Sequence, residues 1–245
     1  MRLSILLVIA YYCCASAPSV WSAPLWDMAV RHLSDKTIVP SEVRTEERFI
    51  STEGKGEHVS ILESTLFRMP DNRFLLLPHT GYANGEAIPK DTLRQLTEVY
   101  TEQDLKPSLF APENQGRIQW NQGEETRTIA NHPCRRFSFT AKIDGHRAEG
   151  SAWLAMDSGL PLEVEWLFID VPYHKQDGTT VISFQQKDFY KIGNSGRCTL
   201  NASEVAVSLK YHLFFVPYEG RLQRKKAFAH YRQRQDLPLY TVAGN

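Results

Sequence analysis

Cysteines, histidines and a C-terminal run of cations are the residues of this 245-residue chain that could do chemistry, and their spacing is tested first. A nucleophile elbow of the Gly-x-Ser-x-Gly type, a His-Glu-x-x-His zinc pair, a Gly-x-x-x-x-Gly-Lys phosphate loop and a Cys-x-x-Cys pair are all missing from the sequence. The histidines are scattered: His146 falls at a turn, His174 in a loop, and His212 and His230 on polar faces of strand-like runs. Asp170 and Asp177 flank His174, the one trio that could hold a metal, although loops often collect such residues without one. The reading is therefore of a binding protein and not an enzyme, with no catalytic residue, metal or cofactor.

The two ends of the chain say where it works. Arg2, an apolar run from Leu3 to Cys14 and then small residues form the pattern of a secretory signal over residues 1–22. That run is shorter than the ~20 apolar residues a membrane-spanning helix needs. Residues 23–245 are read as one exported domain, soluble after cleavage. Losing the signal leaves Cys134 and Cys198, which in an oxidising compartment are candidates for a disulfide stabilising by ~4 kcal/mol. Two unpaired thiols are the alternative. Toward the other end, Arg221, Arg224, Lys225 and Lys226, with Arg232 and Arg234, make a basic cluster. It is either a solvated strand face or a contact for anionic lipid headgroups, worth ~1 kcal/mol per cation, and so at most a peripheral membrane contact. Lys+Arg and Asp+Glu both total 28, which gives no electrostatic reason to expect a nucleic-acid partner.

The elements that must position such residues are mostly strands. From Cys134 to Asp170 three segments alternate apolar and polar residues, joined by Asp144-Gly145 and by Asp157-Ser158-Gly159. This predicts a three-stranded antiparallel meander. Upstream, Trp26, Val30 and Leu33 recur at helical spacing after Pro24, and strands are expected over 41–51, 57–69 and 73–77, the last ended by Pro78. Residues 79–115 read as a loop and then a helix after Pro89, with Leu93, Leu96 and Tyr100 on one face. Asn121-Gln122-Gly123 reads as a turn between two strands. Downstream, strands are expected over 179–192, 204–216 and 225–232, with a turn at Glu219-Gly220. About ten antiparallel strands and two helical segments make the fold class mainly β.

The hairpin from Gly150 to Leu162, with Trp153-Leu154 entering Asp157-Ser158-Gly159-Leu160-Pro161, resembles one in the LolA/LolB-like superfamily of outer-membrane lipoprotein carriers. The order of export signal, short helix, long strands, helical insertion and antiparallel run is also similar. That resemblance implies a strongly curved sheet, an open half-barrel with short helices on its concave side, and a periplasmic location. It further implies an apolar cavity for a lipid, a lipoprotein acyl chain or a similar ligand. The one-sided apolar residues Phe137, Phe139, Leu162, Val164, Trp166, Leu209, Tyr211 and Leu213 are the candidates to line it. The alternative function is an envelope interaction or sensor module with a protein partner and no lipid cargo.

Overall fold

A computed structural model describes residues 25–33, 38–51, 56–100, 109–143, 145–174, 178–193, 196–213 and 216–240, and only the backbone of 143, 173–174, 212–213 and 216–217. The signal expected over residues 1–22 lies outside these residues. Helix α1, Leu25–Leu33, buries Trp26 and Ala29, three positions apart and so on one face. Asp27 in its first turn and Arg31 and His32 in its last complement the helix dipole.

Thirteen described strands join one antiparallel sheet. They are β1 Ile38–Ser51, β2 Glu57–Arg68, β3 Phe74–Ala83, β4 Glu86–Ala87, β5 Glu98–Tyr100, β6 Ile118–Ile129, β7 His132–Ile143, β8 His146–Ala155, β9 Pro161–Phe168, β10 Tyr173–His174, β11 Thr180–Ile192, β12 Cys198–Leu213 and β13 Val216–Gln233. Helix α2, Lys90–Gln95, stands between β4 and β5. The order β4-β3-β2-β1-β13-β12-β11-β9-β8-β7-β6, with β5 beside β3 and β10 beside β11, leaves the sheet open and not closed into a barrel.

The sheet is curved, and the register shows which way. Between β5 and β13 lie β3, β2 and β1, four strand spacings or ~19 Å on a flat sheet. Yet Lys226 Nζ on β13 is 2.8 Å from Tyr100 Oη and 3.1 Å from Glu98 Oε2 on β5, a span two side chains could not cross unless the sheet bends toward them. Residues paired across strands point to the same side. The line Phe139, Gly150, Trp166, Gln186, Val205, Arg224 and Glu47 therefore shares one face. Lys226 is on that face, and Trp26 of α1 packs there against Phe137 and Phe139, so the helix-bearing face is the concave one.

Several elements differ from the expectation. Strand β3 passes through Pro78 and reaches Ala83, because a register shift between Glu63 and Ser64 of β2 places the proline at an irregularity of the ladder. The helix expected to reach Tyr100 stops at Gln95. Only Leu93 anchors it, over Gly81, where an added Cβ would meet the Leu93 side chain at 2.6 Å. Glu98 and Tyr100 then alternate with exposed Val99 as strand β5. Asn121-Gln122-Gly123 is not a turn: β6 runs straight through with a bulge between Gln122 and Thr126. Nor is Glu219-Gly220, since Gly220 sits inside β13 with the Phe49 ring over it. The meander itself is as expected, and Gly159 closes its second turn at φ 72°.

The expected disulfide is absent. Cys134 on β7 and Cys198 on β12 are both free. Strands β8, β9 and β11 separate them in the ladder, four spacings of ~4.8 Å, whereas a disulfide needs Cα atoms within ~7 Å. The Cys134 thiol donates to His132 O (3.3 Å) and the Cys198 thiol to Pro161 O (3.4 Å). Burial raises the pKa of both thiols, that of Cys198 to about 12, which keeps them protonated and inert.

Candidate functional site

The concave face has two apolar ends with different character. At the α1 end, Phe137, Phe139, Val164 and Trp166 form a closed core with Trp26, Leu109, Phe110, Ala152 and Leu154. Trp26 fills its centre, with ring centroids 5.1 Å from Phe110, 6.0 Å from Phe137 and 6.1 Å from Phe139. Its indole N–H donates to Gln115 Oε1 at 2.8 Å, and Gln115 Nε2 donates to Leu109 O, so the plug is tied to the chain that follows it. Leu162 belongs to a second closed cluster with Cys134 and Ala155. Five of the eight predicted lining residues are thus packed by the protein's own side chains.

Leu209 and Tyr211 lie at the other end of the same face, where the side chains are only half-buried. The register carries Leu209 and Tyr211 of β12 beside Tyr218 and Leu222 of β13, and Leu222 beside Phe49 of β1. Tyr211 stacks on Tyr218 at 5.8 Å and tilts against Phe49 at 6.1 Å, while Phe168 stacks on Phe184 at 4.5 Å. The Leu213 side chain lies outside the described residues. Sequence reasoning left Phe49, Phe184, Tyr218 and Leu222 out of the candidate lining. Phe49 and Phe184 sit in runs read as strands, whereas Tyr218 and Leu222 fall on either side of the expected turn at Glu219-Gly220, which the continuous strand β13 replaces; only the pairing of distant strands tells that their faces coincide.

A polar belt separates the two ends. Arg224 holds Glu47 through two nitrogens, at 2.7 and 2.6 Å, and Lys226 bridges to Glu98 and Tyr100. Beside them Asp188, 6% exposed, takes hydrogen bonds from Gln186 Nε2 at 3.0 and 3.1 Å. Burial raises its pKa, and hydrogen bonds from Ser203 and Gln186 only partly offset that. The buried Trp166 indole N–H also eases the charge, yet closes no hydrogen bond of normal geometry.

The basic cluster does not act as one patch. Arg224 and Lys226 point into the concave face, whereas Lys225, paired with Glu204 at 2.7 Å, and Arg221 alternate onto the opposite one. That opposite face is polar. Two grooves cross it: one of about 410 Å³ lined by Glu46, Arg48, Lys187, Glu204 and Lys225, and one of about 890 Å³ lined by Gln119, Asn121, Thr140, Glu149 and Glu165. Glu163 is anchored on this side by Arg127 (2.8 Å) and Lys187 (2.9 Å). Burial alone would raise its pKa, but these two partners hold it below the usual value.

Of the trio that could have held a metal, Asp177 and the His174 side chain lie outside the described residues. Asp170 accepts the Arg147 backbone N–H at 2.9 Å and faces His146 at 3.6 Å. Among the described residues no three His, Cys, Asp or Glu side chains gather as metal ligands, and no helix is long and apolar enough to cross a membrane.

Among solved structures the chain is similar to a domain from Vibrio parahaemolyticus named for outer membrane lipoprotein sorting, at 10% identity and a TM-score of 0.38 over 86% of this chain and 93% of that one. It is also similar to a DUF1329 family protein from Desulfovibrio piger, at 12% identity and a TM-score of 0.35 over 87% and 93%. No family model and no curated protein matches the sequence.

Proposed function

We propose that this is an exported, periplasmic binding protein that holds the hydrocarbon part of a lipid or lipoprotein acyl chain at the half-open end of its concave face. The observation that carries the reading is the contrast within one face. Phe137, Val164 and Trp26 are sealed to 1% exposure or less, while Phe49, Phe168, Phe184, Leu209, Tyr211 and Leu222 on the same side stay half-buried. A chain laid across them leaves water, at ~0.8 kcal/mol for each methylene buried. The Arg224–Glu47 pair at the inner border supplies donors and acceptors for a polar headgroup. The role is binding without a reaction.

Titration of a fluorescent fatty acid into the mature chain tests it. Saturable uptake is expected, weakened about tenfold or more by Leu209→Asp, which places a carboxylate against the hydrocarbon. Absence of uptake, or equal uptake by the variant, would remove the proposal. A second reading, a protein-interaction module without cargo, draws on the polar groove of about 890 Å³ on the opposite face. Crosslinking in cells that traps one protein partner and no lipid would favour it.

A further inference from the structure

Two rows of the concave face run side by side across the same four strands. The register sets Phe184, Val207, Leu222 and Phe49 in line on β11, β12, β13 and β1. Two residues away along each strand it sets Gln186, Val205, Arg224 and Glu47 in line. Two residues of strand span ~7 Å. A hydrocarbon chain lying on the first row therefore brings its polar end beside the Arg224–Glu47 pair of the second.

That pair is only half used. Arg224 gives Nε and Nη2 to a single oxygen, Oε2 of Glu47, at 2.7 and 2.6 Å. Arg224 Nη1 and Glu47 Oε1 take no part in the contact, and among the described residues no other side chain takes them up. The two side chains are 41% and 34% exposed, so a donor and an acceptor stay within reach of a ligand. On the same face Lys226 is held by Glu98 and Tyr100, and Asp188 takes its hydrogen bonds from Gln186 and Ser203, with no cation paired to it among the described residues. The belt thus carries two cations, each matched by a glutamate, and a third carboxyl without a match. A ligand with a lone negative charge would have to pull Glu47 from Arg224 or Glu98 from Lys226, leaving a half-buried carboxylate unpaired.

On the reading that the apolar row holds hydrocarbon, we propose that the ligand is a zwitterionic aminophospholipid, its phosphate at Arg224 and its primary ammonium at Glu47. An ethanolamine phosphate head carries both charges a few bonds apart. It can meet the open guanidinium nitrogen and the open carboxylate oxygen together, through charge-assisted hydrogen bonds, and adds no net charge to the belt. A fatty-acid carboxylate or a phosphatidylglycerol head brings the anion alone, and the unmatched carboxyl of Asp188 opposes it. The apolar row sets how tightly a chain is held, and the Arg224–Glu47 pair sets which headgroup is kept.

Displacement of a bound fluorescent fatty acid from the chain lacking residues 1–22 tests it. The competitors are dihexanoyl phosphatidylethanolamine and dihexanoyl phosphatidylglycerol, each below its micelle-forming concentration, so that the chains are the same and only the headgroup differs. The ethanolamine lipid should displace half of the probe at about tenfold lower concentration than the glycerol lipid. Glu47→Gln, which keeps the shape and removes the charge, should bring that ratio to about twofold or less. Equal displacement by the two lipids in the parent, or an undiminished preference in the variant, overturns the headgroup assignment and leaves the hydrocarbon reading standing. A parent that takes up no probe removes both.

Discussion

Asp188 is the residue whose environment says most about the concave face. Its carboxyl ionises in the unfolded chain near the ordinary value of 3.8, but burial holds it protonated to higher pH in the fold. Over that window the folded state binds more protons, so its contribution to stability falls as pH rises. Asp188→Asn should be at least as stable as the parent at pH 7 and should flatten this decline, read as denaturation midpoints against pH. A variant markedly less stable at pH 7 would mean that the ionised group is needed. Asp157 works in the opposite sense. Its hydrogen bond with His132 lowers its pKa, so its contribution is present above the ordinary carboxylate value and is lost as pH falls through the folded one. The cysteines give a simpler test. Alkylation of the chain lacking residues 1–22, after unfolding and without reductant, should add two groups, at Cys134 and Cys198, whereas no uptake would restore the disulfide.

At the scale of elements, the turn at Gly159 and helix α1 are one unit. Gly159 has φ 72°, and an added Cβ would lie 2.4 Å from Met28 Cβ, so alanine there both strains the backbone and lifts the helix. Gly159→Ala should cost more than ~2 kcal/mol, and Gly145→Ala, at φ 87° in open space, only ~1 kcal/mol. Equal losses at the two sites, in chemical denaturation, would break the link. Trp26→Ala should cost ~3–5 kcal/mol, because nothing else can fill the space between Phe110 and Phe137. These elements were legible because their signals are local: alternation, helical spacing and glycine at a turn. Pro78, Asn121-Gln122-Gly123 and Glu219-Gly220 misled for the complementary reason. A bulge or a covering ring lets a strand absorb a residue that would otherwise end it, and the partner responsible, such as Phe49 over Gly220, is far away in the chain.

For the whole molecule, antiparallel strands with one-sided apolar faces could be read from the alternation, and the open curved sheet was implied by the resemblance of the Gly150–Leu162 hairpin, but not how that face divides. Phe137 and Leu209 alternate in the same way along their strands, yet one lies under Trp26 and Phe110 and the other does not. Which strands become neighbours, and where α1 comes to rest, are long-range outcomes that no spacing records. The central claim is that the half-open end takes up a hydrocarbon chain. It is tested most directly by irradiating the mature protein with a photoreactive fatty acid and mapping the adducts by peptide mass. The account predicts labels on peptides carrying Phe49, Phe184, Leu209 and Tyr211, competed away by unlabelled fatty acid. Labels on α1 or the polar face instead, or labelling that the competitor does not reduce, would contradict it.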